Sequence, residues 1–253
     1  MTTIAVSLKA YLGAEETRRW IAAVGSVARV HAGVLSDRVR LIVFPSFPLI
    51  PTSIDLLSGS RVEVGPQDVS AFDDVAVTGA VTAKLLSELG CTVAEIGHAE
   101  RRRIFGEDDS MVAAKFDAAV RHGLQPLLCV GEDEQEAPAD AARAVVAELQ
   151  SVLGRTASSG TQSVIVAYEP RWAIGRDRPA SAEHIATVAQ ALRESIASDP
   201  RIDGQVIYGG SAGPGLLGTL DGSVDGLFLG RFAHDVDALR AVLDEALTVN
   251  DRA

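Results

Sequence analysis

The sequence predicts an α/β protein: a (β/α)8 barrel with eight parallel strands inside and helices outside, one domain over residues 1–253. Three observations predict it. Short apolar runs alternate with helical patterns along the whole chain. The runs lack polar alternation, as strands covered on both faces do. Their number is eight, the count that closes such a barrel, and the length suits a single unit of this kind. An open doubly wound sheet is the alternative, but no Gly-x-Gly-x-x-Gly turn follows the first run.

In chain order, residues 4–7 are the first strand and 15–31 a helix with Ala, Val and Trp20 at helical spacing, Trp20 packing the helix on the barrel. Residues 41–44 are the second strand, ended by Pro45, whose fixed φ and missing N–H stop a ladder. Residues 61–65 are the third. A helix over 81–89 stops at Gly90 as a C-cap, and 91–97 is the fourth strand. Helix 110–122, followed by Gly123, leads to the fifth strand, 126–131. Helix 139–153 leads to the sixth, 164–167, and helix 182–198 to the seventh, 206–210. Residues 226–230 are the eighth strand and 235–247 the closing helix.

Composition narrows the function. Hydrophobic residues make up 47% of the chain, yet no apolar run approaches the roughly 18 residues of a membrane span. The N-terminus shows no basic leader or cleavage signal, so a cytoplasmic protein is expected. Cys91 and Cys129 lie in apolar runs and read as reduced core residues, not as a disulfide or metal site. His31, His122, His184 and His234 lack metal-ligand spacing and read as surface or cap residues. A net charge of −11 argues against nucleic-acid binding. An anionic ligand would need local cations and backbone N–H groups against that field.

In such a barrel, chemistry sits at the carboxyl ends of the strands. The sixth strand delivers Glu169 there, followed by Pro170, Trp172, Ala173, Ile174 and Gly175. That pattern suggests a base under a lid that excludes water; an ordinary strand end and surface loop is the plainer alternative. Lys9 follows the first strand, His98 and Glu100 the fourth, Glu132 the fifth, Gly209-Gly210-Ser211 the seventh and Gly230-Arg231 the eighth. Singly, each has a bland reading: an exposed lysine, a capping histidine, turn glycines, a solvated acidic loop at 132–134. Together they put a carboxylate, an imidazole and an ammonium beside loops whose glycines let N–H groups approach a phosphate. Proton abstraction next to a carbonyl requires this set: a base, a donor for the developing oxyanion, a cation and a remote grip.

The motifs Gly97-His98-Ala99-Glu100-Arg101-Arg102, Cys129-Val130-Gly131-Glu132, Ala167-Tyr168-Glu169-Pro170, Trp172-Ala173-Ile174-Gly175 and Tyr208-Gly209-Gly210-Ser211 resemble the triosephosphate isomerase family over essentially the whole chain. The resemblance implies a TIM barrel in which Glu169 is the base, His98 a neutral electrophile and Lys9 the cation. It implies that Glu100 orients the site, and that backbone N–H groups at Gly175, Ser211, Gly230 and Arg231 hold the phosphate of a small ketose or aldose phosphate. Residues 170–180 become the lid. No metal and no organic cofactor is implied. A homodimer is, through the loop 67–79, with Thr78 reaching the partner's site. Ala99 to Arg102 read as a helix start that would lower the His98 pKa, a device for which this family is itself the usual illustration.

The departures from the family pattern are Ser7 for an asparagine, Ala99 for a serine, Ala80 for a glutamate, Arg231 for a glycine, and the lid ending 175–180. Three readings are open: drift in an ordinary triosephosphate isomerase of glycolysis and gluconeogenesis, a changed substrate, or an inactive paralogue kept as a binding subunit. The changed substrate is the expectation. Ser7 and the ending Gly-Leu-Phe-Leu-Gly-Arg resemble the branch that converts L-erythrulose 1-phosphate to D-erythrulose 4-phosphate. Ser7 and Ala99 would make room for its hydroxymethyl group. Without a glutamate at position 80, Arg101 would need another acid, with Asp73-Asp74 as candidates. Arg231 either crowds the phosphate loop, offers a guanidinium to the anion or points to solvent.

Overall fold

The computed structural model describes residues 1–73, 76–176 and 178–250. Asp74 and Asp177, named above for the Arg101 pairing and the lid, lie outside the described residues. The strands are β1 (Thr2–Ser7), β2 (Val39–Phe44), β3 (Glu63–Val64), β4 (Val93–Ile96), β5 (Gln125–Val130), β6 (Gln162–Tyr168), β7 (Ile202–Tyr208) and β8 (Gly226–Leu229). They form one sheet in the order β3-β2-β1-β8-β7-β6-β5-β4, and every paired neighbour is parallel. Two backbone hydrogen bonds bring the free edges together: Thr92 N–H donates to Val64 O at 3.2 Å and Glu95 N–H to Pro66 O at 3.1 Å. The barrel expected from the strand count is thus a ring.

Alternation along the strands sorts the core. Ala5, Phe44, Val93, Cys129, Ala167 and Phe228 belong to the cluster that fills the ring. Their neighbours, such as Val6, Val43, Ala94 and Val166, pack outward under the helices. Trp20 lies buried between helix and barrel, and its indole N–H donates to Ala233 O at 2.9 Å. Both cysteines are free and buried.

The helices are α1 (Ala14–Ala28), α2 (Ala32–Leu35), α3 (Ile50–Leu57), α4 (Ala83–Glu88), α5 (Ala99–Phe105), α6 (Asp109–Arg121), α7 (Pro138–Leu153), α8 (Ala182–Ser198), α9 (Leu216–Leu220) and α10 (Val236–Asn250). Three differences from the sequence reading have local causes. The helix expected over 15–31 ends at Ala28, and His31 caps a separate turn, α2, by accepting from Val34 N–H. α3 was not anticipated, although its first turn carries Pro51, where a missing N–H costs nothing. α9 is a single turn that lacks a side-chain cap.

Candidate functional site

β1 ends just before Lys9, whose φ of 48° is in the left-handed region that non-glycine residues avoid. Its carbonyl is pinned there by the Gln67 side-chain amide at 3.0 Å and the Ser46 hydroxyl at 3.2 Å. β6 delivers Glu169, buried at 3% exposure. Two glycines make room for it. A Cβ on Gly131 would stand 1.9 Å from the Glu169 carbonyl oxygen, and one on Gly209 would stand 2.8 Å from its Cγ.

β4 delivers His98 as the residue that caps α5. Its Nδ1 accepts from the Glu100 N–H at 3.0 Å, and its Nε2 lies 3.2 Å from Glu169 Oε1. The other Glu169 oxygen accepts from the Ala99 N–H at 3.3 Å. Lys9 Nζ donates to Glu100 Oε1 at 3.0 Å. The structure therefore brings together the Glu169 carboxylate, the His98 imidazole, the Lys9 ammonium and Glu100 on one rim.

The electrostatics follow from this contact. Burial pushes the Glu169 pKa up, but His98, Lys9 and the Ala99 N–H outweigh it, and the carboxyl is held below its ordinary value. Burial pulls Lys9 down, but Glu169, Glu100 and Glu95 overcome it, so the ammonium is secure. Burial also disfavours the His98 imidazolium, yet Glu169 raises its pKa overall. That differs from the lowering expected from the helix start alone: a carboxylate at 3.2 Å outweighs one helical turn. With Nδ1 committed as an acceptor to a backbone N–H, the ring carries its proton on Nε2. Once a ligand separates the pair, the contact that does most to raise the imidazole's pKa is lost.

These groups open into a cavity of about 880 Å³, in the range of small-ligand sites. Ser7, Ser211, Gly230 and Arg231 also line it, with Ile174 and Gly175 of the predicted lid. Arg231 is exposed at the rim, its guanidinium 5.2 Å from the centre of the Tyr11 ring. Pro170, Trp172 and Ala173 are not among the walls. Trp172 and Ala173 lie in a 3₁₀ turn, Arg171–Ala173, which Pro170 precedes as its N-cap, at the start of the predicted lid segment. The Ser211 hydroxyl meets the same segment further on, at Ala173 O (3.0 Å) and Arg176 O (2.6 Å).

Three sequence readings need correction. Glu132 is not a solvated loop residue: it is buried, and its Oε1 faces Tyr168 Oη (3.0 Å), Trp172 Nε1 (2.8 Å) and His184 Nε2 (3.0 Å). His184 is accordingly buried in the first turn of α8, not at the surface. Arg101 does not turn to Asp73, which pairs with Arg121 and His122. It binds Glu107 at 2.6 Å and Asp68 at 2.9 Å, and Lys115 completes this cluster at 2.5 Å from each acid. A further group went unnoticed in the sequence: Glu95, at 2% exposure inside the ring. Its one signal was an acid in the middle of an apolar run.

Among the described residues, no group of His, Cys, Asp or Glu is arranged to hold a metal, and no helix is long and apolar enough to cross a membrane.

Comparison with known proteins agrees with the fold. Residues 2–246 match the family described as triosephosphate isomerase. The chain is 44% identical to an L-erythrulose-1-phosphate isomerase of Pectobacterium atrosepticum over 99% of its own length and 98% of the relative's. It is 38% identical to one from Mesorhizobium japonicum, over 83% of this chain and 85% of that one. Against a triosephosphate isomerase of Thermus thermophilus the identity is 37%, over 79% and 83%.

Proposed function

This chain belongs to the triosephosphate isomerase family and is a sugar-phosphate isomerase, and from that premise we propose that its substrate is L-erythrulose 1-phosphate, converted to D-erythrulose 4-phosphate. The observation that carries the reading is the Glu169–His98 contact of 3.2 Å, with Lys9 beside it, facing a cavity of small-molecule size. The relative that matches this chain end to end bears that activity in its name.

The reaction moves one proton between adjacent carbons. Glu169 takes the proton from the hydroxyl-bearing carbon beside the carbonyl. Electrons flow into the carbonyl oxygen, giving an enediolate. The His98 Nε2–H donates to that oxygen, and the Lys9 ammonium balances the charge. Proton transfer between the two oxygens and return of the first proton to the neighbouring carbon complete the shift. Both Glu169 hydrogen bonds, to His98 and to the Ala99 N–H, must give way to the substrate first. Glu100 holds Lys9 in place. Backbone N–H groups at Gly175, Ser211, Gly230 and Arg231 grip the phosphate. The lid, anchored through Trp172 to Glu132, closes over it. No cofactor takes part. The small side chains of Ser7 and Ala99 leave space where the tetrulose carries a hydroxymethyl group and a triose carries hydrogen.

The test is kcat/KM of the purified enzyme for L-erythrulose 1-phosphate and for dihydroxyacetone phosphate. A preference for the tetrulose supports the reading, and a preference for the triose by about a hundredfold or more overturns it.

The protein works in the cytoplasm as a homodimer, with the loop 67–79 inserted into a second copy and Thr78 at the partner's site. Exposed Phe72 (49%), Ile104 (62%) and Phe105 (64%), on this loop and on α5, support such a contact. Arg101 needs no acid from the partner, since Asp68 and Glu107 satisfy it within the chain. Elution as a monomer at micromolar concentration would contradict the dimer.

A further inference from the structure

Among the described residues, two polar atoms inside the ring lack an aligned hydrogen-bond partner: Ser7 Oγ and Glu95 Oε2. They belong to one layer. Along β1, Ala5 faces inward and Val6 outward, so Ser7 faces inward. Along β4, Val93 faces inward and Ala94 outward, so Glu95 does too. The Ser7 hydroxyl stands near enough to the Glu95 carboxyl to perturb it. Ser7 lines the substrate cavity, whereas Glu95 lies beneath and does not. A carboxyl buried in an apolar barrel without a matched partner costs stability, so its presence calls for a functional explanation.

We propose that Glu95 is a positioning residue of this site, which acts through the Ser7 hydroxyl and, when protonated, turns that hydroxyl's own hydrogen toward the substrate oxygen. The inference rests on the proposed isomerase chemistry but not on which ketose phosphate is preferred.

The logic is one of donors and acceptors. A protonated Glu95 donates to Ser7 Oγ, and the serine is then free to donate upward to an oxygen that becomes an oxyanion. An ionised Glu95 can only accept. Ser7 must then donate downward and shows the oxyanion a lone pair. The charged groups facing Glu95 are Lys9 from β1's end, His98 from β4's end and Glu169 from β6's end; the Cys129 thiol faces it from β5. Burial, helped by Glu169 and opposed by His98, Ser7 and Lys9, lifts the carboxyl to about 7. Turnover should therefore fall as pH rises through neutrality.

The experiment is a kcat–pH profile of wild type, Glu95→Gln, Ser7→Ala and the double variant, on both L-erythrulose 1-phosphate and dihydroxyacetone phosphate. Wild-type kcat should fall about tenfold between about pH 6 and pH 8, following a single ionisation. Glu95→Gln, whose amide always donates, should keep the low-pH rate and lose the fall. Ser7→Ala should lower kcat more than it changes KM and also lose the fall, and the double variant should match it. A fall that persists in Ser7→Ala, or in Glu95→Gln, overturns the proposal. A substrate preference opposite to the one proposed leaves these comparisons intact. Should neither sugar be turned over, carbon-13 NMR of the Glu95 carboxyl decides without catalysis. A midpoint near 7 that rises in Ser7→Ala supports the inference, and a midpoint below 5 overturns it.

Discussion

Two charged clusters flank the short helix α5 and use nearly the same residue types. On the cavity side stand Lys9, His98, Glu100 and Glu169. On the other stand Arg101, Asp68, Glu107 and Lys115. The second cluster is closed: each acid touches both cations, at 2.5 to 2.9 Å. The first is open. Its contacts are longer, at 3.0 and 3.2 Å for the closest pairs, and face the cavity. Burial alone does not separate them, since Glu169 and Glu107 are both buried. What differs is whether a substrate can come between the partners. Breaking the open cluster should cost rate, and breaking the closed one should cost stability.

The largest expected effect is on the open side. Glu169→Gln keeps the shape and removes the proposed base, so kcat should drop about 10³-fold with the melting temperature unchanged. Steady-state kinetics beside a thermal melt checks both halves.

On the closed side, Lys115→Met leaves Asp68 and Glu107 sharing Arg101 alone. Burial already raises the Asp68 pKa despite Lys115 beside it. Chemical denaturation should show a loss of about 4 kcal/mol, while kcat/KM stays within a few-fold. An equal loss of activity in the folded variant would erase the distinction between the clusters.

Glu95 sharpens the comparison, because it sits under the open cluster but makes no ion pair among the described residues. Its folded pKa of about 7 stands above the ordinary 4.5. An acid with a raised folded pKa favours the fold while protonated in both states. Stability is then lost as pH rises from the unfolded value to the folded one. Glu95→Gln should thus gain stability over wild type between about pH 4.5 and 7 and keep the gain above that, up to about 3 kcal/mol.

The smallest effect belongs to the anchor of the proposed lid. Trp172→Phe removes the indole donor to Glu132, and Tyr168 and His184 remain to satisfy that carboxylate. A loss of about 1 kcal/mol is expected, read as a lower kcat with little change in melting temperature.

Much of this was legible in the sequence, for identifiable reasons. Strands such as 41–44 and 126–130 are short apolar runs bounded by proline or glycine, and the pattern alone marks them. Lys9, His98 and Glu169 follow such runs directly, so the barrel rule placed them on one rim. α3 was missed because Pro45, Pro48 and Pro51 crowd its start. The closed cluster was missed because Lys115 reaches Asp68 across 47 residues, a pairing that no local pattern encodes. Glu95 was missed because its side of the strand becomes meaningful only once the inward parity is known. His184 and Glu132 show the same limit, since neither is buried until α8 packs on the barrel.

The most direct test of the central claim is isotopic. When L-erythrulose 1-phosphate is isomerised in deuterium oxide, a proton shuttled by Glu169 exchanges with solvent, and proton NMR should find deuterium on the new hydroxyl-bearing carbon of the product. Product formed at the wild-type rate with no deuterium at that carbon, or full deuteration sustained in Glu169→Gln, would contradict the account.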